Sequence, residues 1–315
     1  MVFQSARKLR EICAKFALNL CNLWFQKPLK IWEPSSMSPR LEVARAAAQA
    51  AARALRHKVG QTRVVQSKGW RNIVTDADFA AEHAALAVIR AHYPDHAILS
   101  EEDKEARVDL RAPGPLWIVD PLDGTTNYAH HLPVFSVSLA LAEAGELQVG
   151  VIVDPLRDQV FYAEKGRGAW AQTGRRTPQP MRVSATATLD DAVVALDWAR
   201  DPALRERTLQ SLHRAATVCR TARAFGSAAL GLAYLAAGWV DGYFHYSAQP
   251  WDLAAGVLLL TEAGGHITTP TNDAWSLGHP QLIASNSIIH APLLQTLVKT
   301  VSPQMAQIEN LANLR

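Results

Sequence analysis

From Pro39 to His57 apolar positions recur at helical spacing, at Leu41, Val43, Ala44, Ala47, Ala48, Ala51 and Leu55. The pattern predicts an amphipathic helix, broken at Gly60. Val74-Thr75-Asp76-Ala77-Asp78 opens a second helix, because Thr and Asp are good N-caps. Its apolar face is read as Phe79, Leu86, Ile89 and Tyr93, and Pro94 ends it. The period then shortens. His96–Leu99, Leu116–Val119 closing on Asp120, Val134–Ala142, Leu147–Asp154 and Gln159–Glu164 read as strands, with Gly145 and Pro155 as turn signals. This middle part predicts a largely antiparallel sheet. From Thr186 strands and helices mix: a strand at Ala192–Leu196, then helices near Ala203–Ala216, Ala228–Ala237, Leu253–Glu262 and Pro292–Val301. No internal repeat or low-complexity linker interrupts the chain. The expected class is α/β, with layered helices and sheets. A soft boundary near 180–190 separates an N-terminal α+β half (37–185) from a C-terminal α/β half (186–315).

Residues 1–36 follow another pattern. Arg7, Lys8, Arg10, Lys15, Lys27 and Lys30 sit among Phe16, Leu18, Leu20, Leu23, Trp24 and Phe25, and Pro34-Ser35-Ser36 breaks the run. Two readings stand: a basic amphipathic segment for a membrane surface or targeting, or an upstream extension with Met37 as the first residue of the working protein.

Composition narrows the class. Hydrophobic residues make up 49% and charged residues 19%, which is ordinary for a globular protein. A net charge of +3 does not mark a nucleic-acid binder. Three cysteines, Cys13, Cys21 and Cys219, make neither a disulfide framework nor a CxxC metal motif and suit a reducing, cytoplasmic setting. No apolar run is long enough to span a bilayer, so no transmembrane helix is expected and neither a membrane nor nucleic acid is required as a partner.

Candidate chemistry gathers where carboxylates meet turns. Asp76-Ala77-Asp78 starts a helix, Glu101-Glu102-Asp103 follows a short strand, and Asp252 follows Trp251 at the start of an apolar helix. Taken singly, these suit N-caps or a solvated loop equally well. Asp120-Pro121-Leu122-Asp123-Gly124-Thr125-Thr126-Asn127 is harder to read that way, because Asp120 ends a strand that should be buried. A buried carboxylate is costly unless it is paired or holds a metal. Oxygen donors without His or Cys select Mg²⁺, Mn²⁺ or Ca²⁺ rather than zinc. The Gly124-Thr125-Thr126 turn adds backbone N–H groups and hydroxyls suited to a phosphate. His130-His131 read as a solvated loop. No Ser or Cys nucleophile with a partnered His is evident.

At these residues the chain resembles the inositol monophosphatase family. Trp117-Ile118-Val119-Asp120-Pro121-Leu122-Asp123-Gly124-Thr125-Thr126-Asn127-Tyr128 is similar to its first signature, and Trp251-Asp252-Leu253-Ala254-Ala255-Gly256 running to Glu262-Ala263-Gly264-Gly265 to its second. Asn72-Ile73-Val74-Thr75 leading to Asp78, Ser100-Glu101-Glu102 and Gly226-Ser227-Ala228-Ala229 agree in order and spacing. The resemblance covers about residues 38–300.

It implies an alternating α-β-α-β-α sandwich of the inositol monophosphatase/fructose-1,6-bisphosphatase type, usually a homodimer. The implied activity is Mg²⁺-dependent, lithium-sensitive hydrolysis of a small polyol phosphate, foremost inositol 1-phosphate. Glu101, Asp120 and the Leu122 carbonyl would hold one Mg²⁺, and Asp120, Asp123 and Asp252 a second. Glu101 and Asp78 would lie near a weaker third. Glu101 and the Thr125 hydroxyl would activate water, with Asp78 as a further catalytic group. Gly124 and Thr125 N–H groups, Ser227, Ala228, His245 and Asp252 would contact phosphate or substrate. Lys68 resembles a lysine near the site. Many inositol-specific members carry a glutamate where this chain has His245, so histidinol phosphate, fructose bisphosphate and adenosine bisphosphate stay open as substrates. Some bacterial members act with the transcription machinery, which leaves a largely non-catalytic partner role as an alternative.

Overall fold

The structure, a computed structural model, describes residues 37–61, 65–69, 72–103 and 108–298. The segment 1–36, with Cys13 and Cys21, lies outside the described residues, as does the end of the last expected helix beyond Val298.

Helix α1 (Pro39–Lys58) buries the expected stripe Leu41, Val43, Ala44, Ala47, Ala48, Ala51 and Leu55, with Ala52 beside it. A short hairpin, β1 (Val65–Gly69) and β2 (Asn72–Thr75), leads into α2 (Asp76–His92). Thr75 caps α2: its hydroxyl accepts the Ala77 N–H at 3.2 Å, while the Thr75 N–H donates to Asp78 Oδ2 at 2.8 Å. The buried face of α2 is Ala77, Asp78, Ala81, Ala85 and Ile89; of the four larger side chains expected there Ile89 alone is buried, and Phe79 is 47% exposed. Helices α1 and α2 pack together, and alanines on both let the backbones approach closely.

Seven strands form the first sheet in the order β3-β4-β5-β6-β7-β8-β9. They are β3 (Ala97–Ser100), β4 (Pro115–Asp123), β5 (Ser136–Glu143), β6 (Glu146–Asp154), β7 (Gln159–Glu164), β8 (Ala169–Thr173) and β9 (Gln179–Pro180). Only β3 and β4 run parallel; the rest is an antiparallel meander, as the pattern predicts. A five-residue helix, α3 (Thr125–Ala129), occupies the Thr-rich turn after β4.

The second sheet has the order β11-β10-β12-β14-β13. It contains β10 (Val193–Leu196), β11 (Thr221–Ala224), β12 (Gly242–His245), β13 (His266–Thr268) and β14 (Leu282–Ser285). Strands β10, β11 and β12 are parallel, and β12, β14 and β13 antiparallel. The helices are α4 (Pro202–Ala216), α5 (Ala228–Ala236), α6 (Pro250–Glu262) and α7 (His290–Val298).

These elements stack as α-β-α-β-α. Helices α1 and α2 cover the outer face of the first sheet, and α5 and α6 lie between the sheets. Helices α4 and α7 close the second sheet. The inner core joins Leu116, Ile118 and Phe161 to Leu230, Leu259, Tyr243 and Leu282. Alternation along β12 sends Tyr243 inward and Phe244 to the outer core with Leu196, Ile283 and Leu293. Gly150 on β6 permits the close approach of α6: a Cβ there would lie 2.8 Å from the Ala255 carbonyl oxygen. Among the described residues no helix is long and apolar enough to cross a membrane.

Candidate active site

The end of β4 arranges the site. In a regular strand, residues three apart point to opposite faces. Here the pairing with β5 shifts between Asp120, opposite Ser138, and Asp123, opposite Ser136. Three steps on β4 match two on β5, which is a bulge. Ser136 and Ser138 share a face, so Asp120 and Asp123 share it too. That face looks onto the middle helices, because Ser138 donates to the Trp251 carbonyl at 3.0 Å and Ser136 Oγ lies 3.3 Å from Ser227 Oγ.

Asp120 is 1% exposed, and its Oδ1 accepts the Leu122 N–H at 3.0 Å. Its other oxygen makes no hydrogen bond with a described residue. Burial, then the negative charges of Glu101, Asp123 and Asp252, hold its pKa well above the ordinary carboxyl range. Asp252 opens α6, where its Oδ2 accepts the Gln249 N–H at 2.7 Å, and burial beside Glu101 raises its pKa as well. Asp123 is held from both sides. Its Oδ1 accepts the Ala228 N–H at 3.1 Å, and its Oδ2 accepts the Ala229 N–H at 3.0 Å and hydroxyls of Ser136 and Ser227. Burial raises the Asp123 pKa while these bonds lower it. Ser227 and Ala228, expected at the phosphate, are thus engaged with the Asp123 carboxylate.

Thr125 opens α3 after Gly124, whose φ of +94° places it in the left-handed region. A Cβ at Gly124 would meet the Gly226 carbonyl at 3.0 Å and the Val134 carbonyl at 3.1 Å, so this position requires glycine. The Thr125 hydroxyl has two acceptors in reach, Leu122 O at 3.0 Å and Asp78 Oδ1 at 3.2 Å. Asp78 therefore serves two elements, with Oδ2 on the α2 cap and Oδ1 on Thr125. Burial lifts its pKa to about 6, against the bonds from Thr75. The glutamate whose charge bears on Asp78 is Glu102; Glu101 acts on Asp120 and Asp252. Lys68 belongs to β1, but its side chain lies outside the described residues.

Two positive or polar groups border the acids. The Arg200 guanidinium lies 4.0 Å from Glu101 and lowers the pKa of Asp252. His245, at the end of β12, accepts the Ser247 N–H on Nδ1 at 3.0 Å. Burial, then the charge of Arg200, pulls its pKa down to about 4.

Sequence reading passed over Asp197. It follows β10 and is buried, accepting the Gly226 N–H at 2.7 Å and the Tyr243 hydroxyl at 3.1 Å. Burial and the charge of Asp123 push its pKa up to about 7. The signal was the one that exposed Asp120, an apolar strand ending in Asp. Asn127 is the other missed residue; its amide donates to Val134 O and Phe225 O, each at 2.7 Å, and ties α3 to the loop before α5.

The residues present suit divalent cations in donor chemistry: buried carboxylates, all oxygen, whose pKa values are raised by burial and then by mutual repulsion, with the Arg200 guanidinium beside them. Asp120 and Asp252 each keep an oxygen that no described residue hydrogen-bonds, and Asp123 Oδ1, which accepts one bond, has a second lone pair, whereas its Oδ2 is fully engaged. Among the described residues no three acidic, His or Cys side chains already converge closely enough to hold an ion. Asp123 is turned onto the start of α5 and Asp252 onto its own capping box, so closing the set requires side-chain movement.

Comparison with known proteins identifies the family and the fold. The family model described as the inositol monophosphatase family matches residues 36–302. An inositol-1-monophosphatase of Synechocystis is 37% identical over 289 residues, covering 90% of this chain and 95% of that protein. The Nus factor SuhB of Pseudomonas aeruginosa is 34% identical over 278 residues, covering 85% and 99%. Among solved structures, the extragenic suppressor protein SuhB of Bartonella henselae superposes with a TM-score of 0.76 at 36% identity, covering 84% of this chain and all of that one. An inositol monophosphatase of Thermotoga maritima gives 0.74 at 33%, covering 82% and 97%. The chain belongs to the inositol monophosphatase family.

Proposed function

We propose that the chain hydrolyses the phosphate monoester of a small polyol, with inositol 1-phosphate as the reference substrate. Two or three Mg²⁺ ions would be held by Glu101, Asp120, the Leu122 carbonyl, Asp123 and Asp252. The observation that carries this reading is the β4 bulge, which brings Asp120 and Asp123 to one buried face within electrostatic reach of Glu101 and Asp252. Bound divalent cations supply positive charge to the phosphate and the leaving oxygen and ease deprotonation of the attacking water.

The chain's own residues do the rest. Glu101 and the Thr125 hydroxyl orient the water, and Asp78 accepts its proton through Thr125. The N–H groups of Gly124 and Thr125 bind phosphate oxygens. Serines 136 and 227, with the first N–H groups of α5, hold Asp123 in the cation-free chain, and part of this grip is released as Asp123 turns to a cation. The water oxygen bonds phosphorus as the ester oxygen leaves, and that oxygen takes a proton from solvent. In this reading the enzyme works as a cytoplasmic homodimer. Asp120→Asn is the test. Loss of Mg²⁺-dependent phosphate release is expected, and near-wild-type release would sink the site assignment.

A second reading rests on relatives named Nus factor SuhB, at 34% and 36% identity. In it the chain also binds transcription machinery. A pull-down comparing wild type with Asp123→Asn separates the two roles: capture that survives loss of hydrolysis supports the partner role, and no capture by either protein removes it.

A further inference from the structure

His245 lies on the inner face of β12, the face that carries Tyr243, and is 6% exposed. Its Nδ1 accepts the Ser247 N–H at 3.0 Å. An N–H donor requires a lone pair on Nδ1, so the ring is the Nε2–H tautomer. That Nε2–H makes no hydrogen bond with any described residue. It is not among the polar atoms sealed from solvent, so a ligand acceptor can reach it. Beside it stands Arg200, which is half-exposed, 4.0 Å from Glu101 and close enough for its charge to bear on both His245 and Asp252. Next to a cluster made otherwise of carboxylates, these two side chains are a pair of donors, one of them cationic. A neutral polyol needs no cation at its far end.

Resting on the hydrolase reading above, we propose that the preferred substrate carries a second anionic group, a phosphate or a carboxylate, besides the phosphate that is cleaved. That group accepts from His245 Nε2–H and pairs with Arg200. The guanidinium turns to it once Glu101 is taken up in holding a cation, and the imidazole needs no movement because its other nitrogen is already fixed to Ser247.

The test uses the full chain with Mg²⁺ and two matched substrate pairs. One is inositol 1-phosphate against inositol 1,4-bisphosphate; the other is glycerol 2-phosphate against 2-phosphoglycerate. In the wild type, kcat/KM is expected to favour the anionic member by about tenfold or more, the scale of one charge-assisted hydrogen bond. A preference in the first pair alone identifies the second anion as phosphate, and in the second pair alone as carboxylate. Arg200→Met and His245→Glu should each lower that ratio by about tenfold, while His245→Gln, which keeps an N–H donor, should retain more of it than His245→Glu. Arg200 is half-exposed, so Arg200→Met reads the ratio even where a buried His245 variant fails to fold. A wild-type ratio near one in both pairs, or a ratio unmoved by Arg200→Met, overturns the inference and leaves the hydrolase reading standing. No Mg²⁺-dependent release from any of the four substrates overturns the hydrolase reading itself, and this inference with it.

Discussion

Thr125 and Asp197 differ in what fixes them and in what they do. The Thr125 hydroxyl has one proton and two acceptors, so its position is set by Asp78 and Leu122 together. Thr125→Ala should lower kcat by about 100-fold or more, the scale of a lost acid–base group, with Mg²⁺ affinity mostly kept. Calorimetric titration beside steady-state kinetics checks this; a fall in affinity with kcat intact would assign Thr125 to cation binding. Asp197 titrates without belonging to the proposed ligand set. Its pKa of about 7 lies above the ordinary carboxyl value, so the folded protein holds a proton that the unfolded chain releases. The linked stability is complete below about pH 4 and is lost as pH rises through about 7. Asp197→Asn should flatten that fall in urea unfolding measured between about pH 5 and pH 8. An unchanged slope would mean that Asp197 is not the titrating group. Sequence made Asp120 legible because a turn motif surrounds it. Asp197 shares the apolar strand ending in Asp but lacks the turn motif, and its contact with Gly226 and the charge of Asp123 bring it to notice.

At the scale of elements, the bulge and two glycines carry the geometry. Gly124 combines a left-handed φ with carbonyls at 3.0 and 3.1 Å, so Gly124→Ala should cost at least about 1–2 kcal/mol in urea unfolding. Gly150→Ala drives a methyl into the Ala255 backbone and lifts α6, the element that delivers Asp252, away from the sheet. A cost of about 1–3 kcal/mol with weakened Mg²⁺ binding is expected. A neutral result at either position would mean that the backbone gives way easily there. Long apolar helices and alternating strands were readable from period alone, as α1 and β5 to β7 show. The α2 face was not, because burial there selects small alanines for a close helix contact and leaves Phe79 outside. Strands β8, β9 and β11 to β14 are short, of two to five residues, and β11, β12 and β14 pair with strands from which a helix separates them in sequence, partners that no local pattern announces.

For the whole molecule, the carboxylates at the junction of both sheets and the middle helices make fold and function depend on each other. Divalent cation binding to the folded chain alone should add stability, about 2.7 kcal/mol at a hundredfold excess over Kd. A Tm that rises with Mg²⁺ in wild type and stays flat in Asp120→Asn is expected; equal rises would place the cation elsewhere. The same dependence gives the most direct measurement of the central claim, phosphate release from inositol 1-phosphate, inositol 1,4-bisphosphate and 2-phosphoglycerate with Mg²⁺, with EDTA and with Mg²⁺ plus Li⁺. The account predicts release that needs Mg²⁺ and falls with Li⁺. Release that persists in EDTA, or none from any substrate while Mg²⁺ raises the Tm, would contradict it.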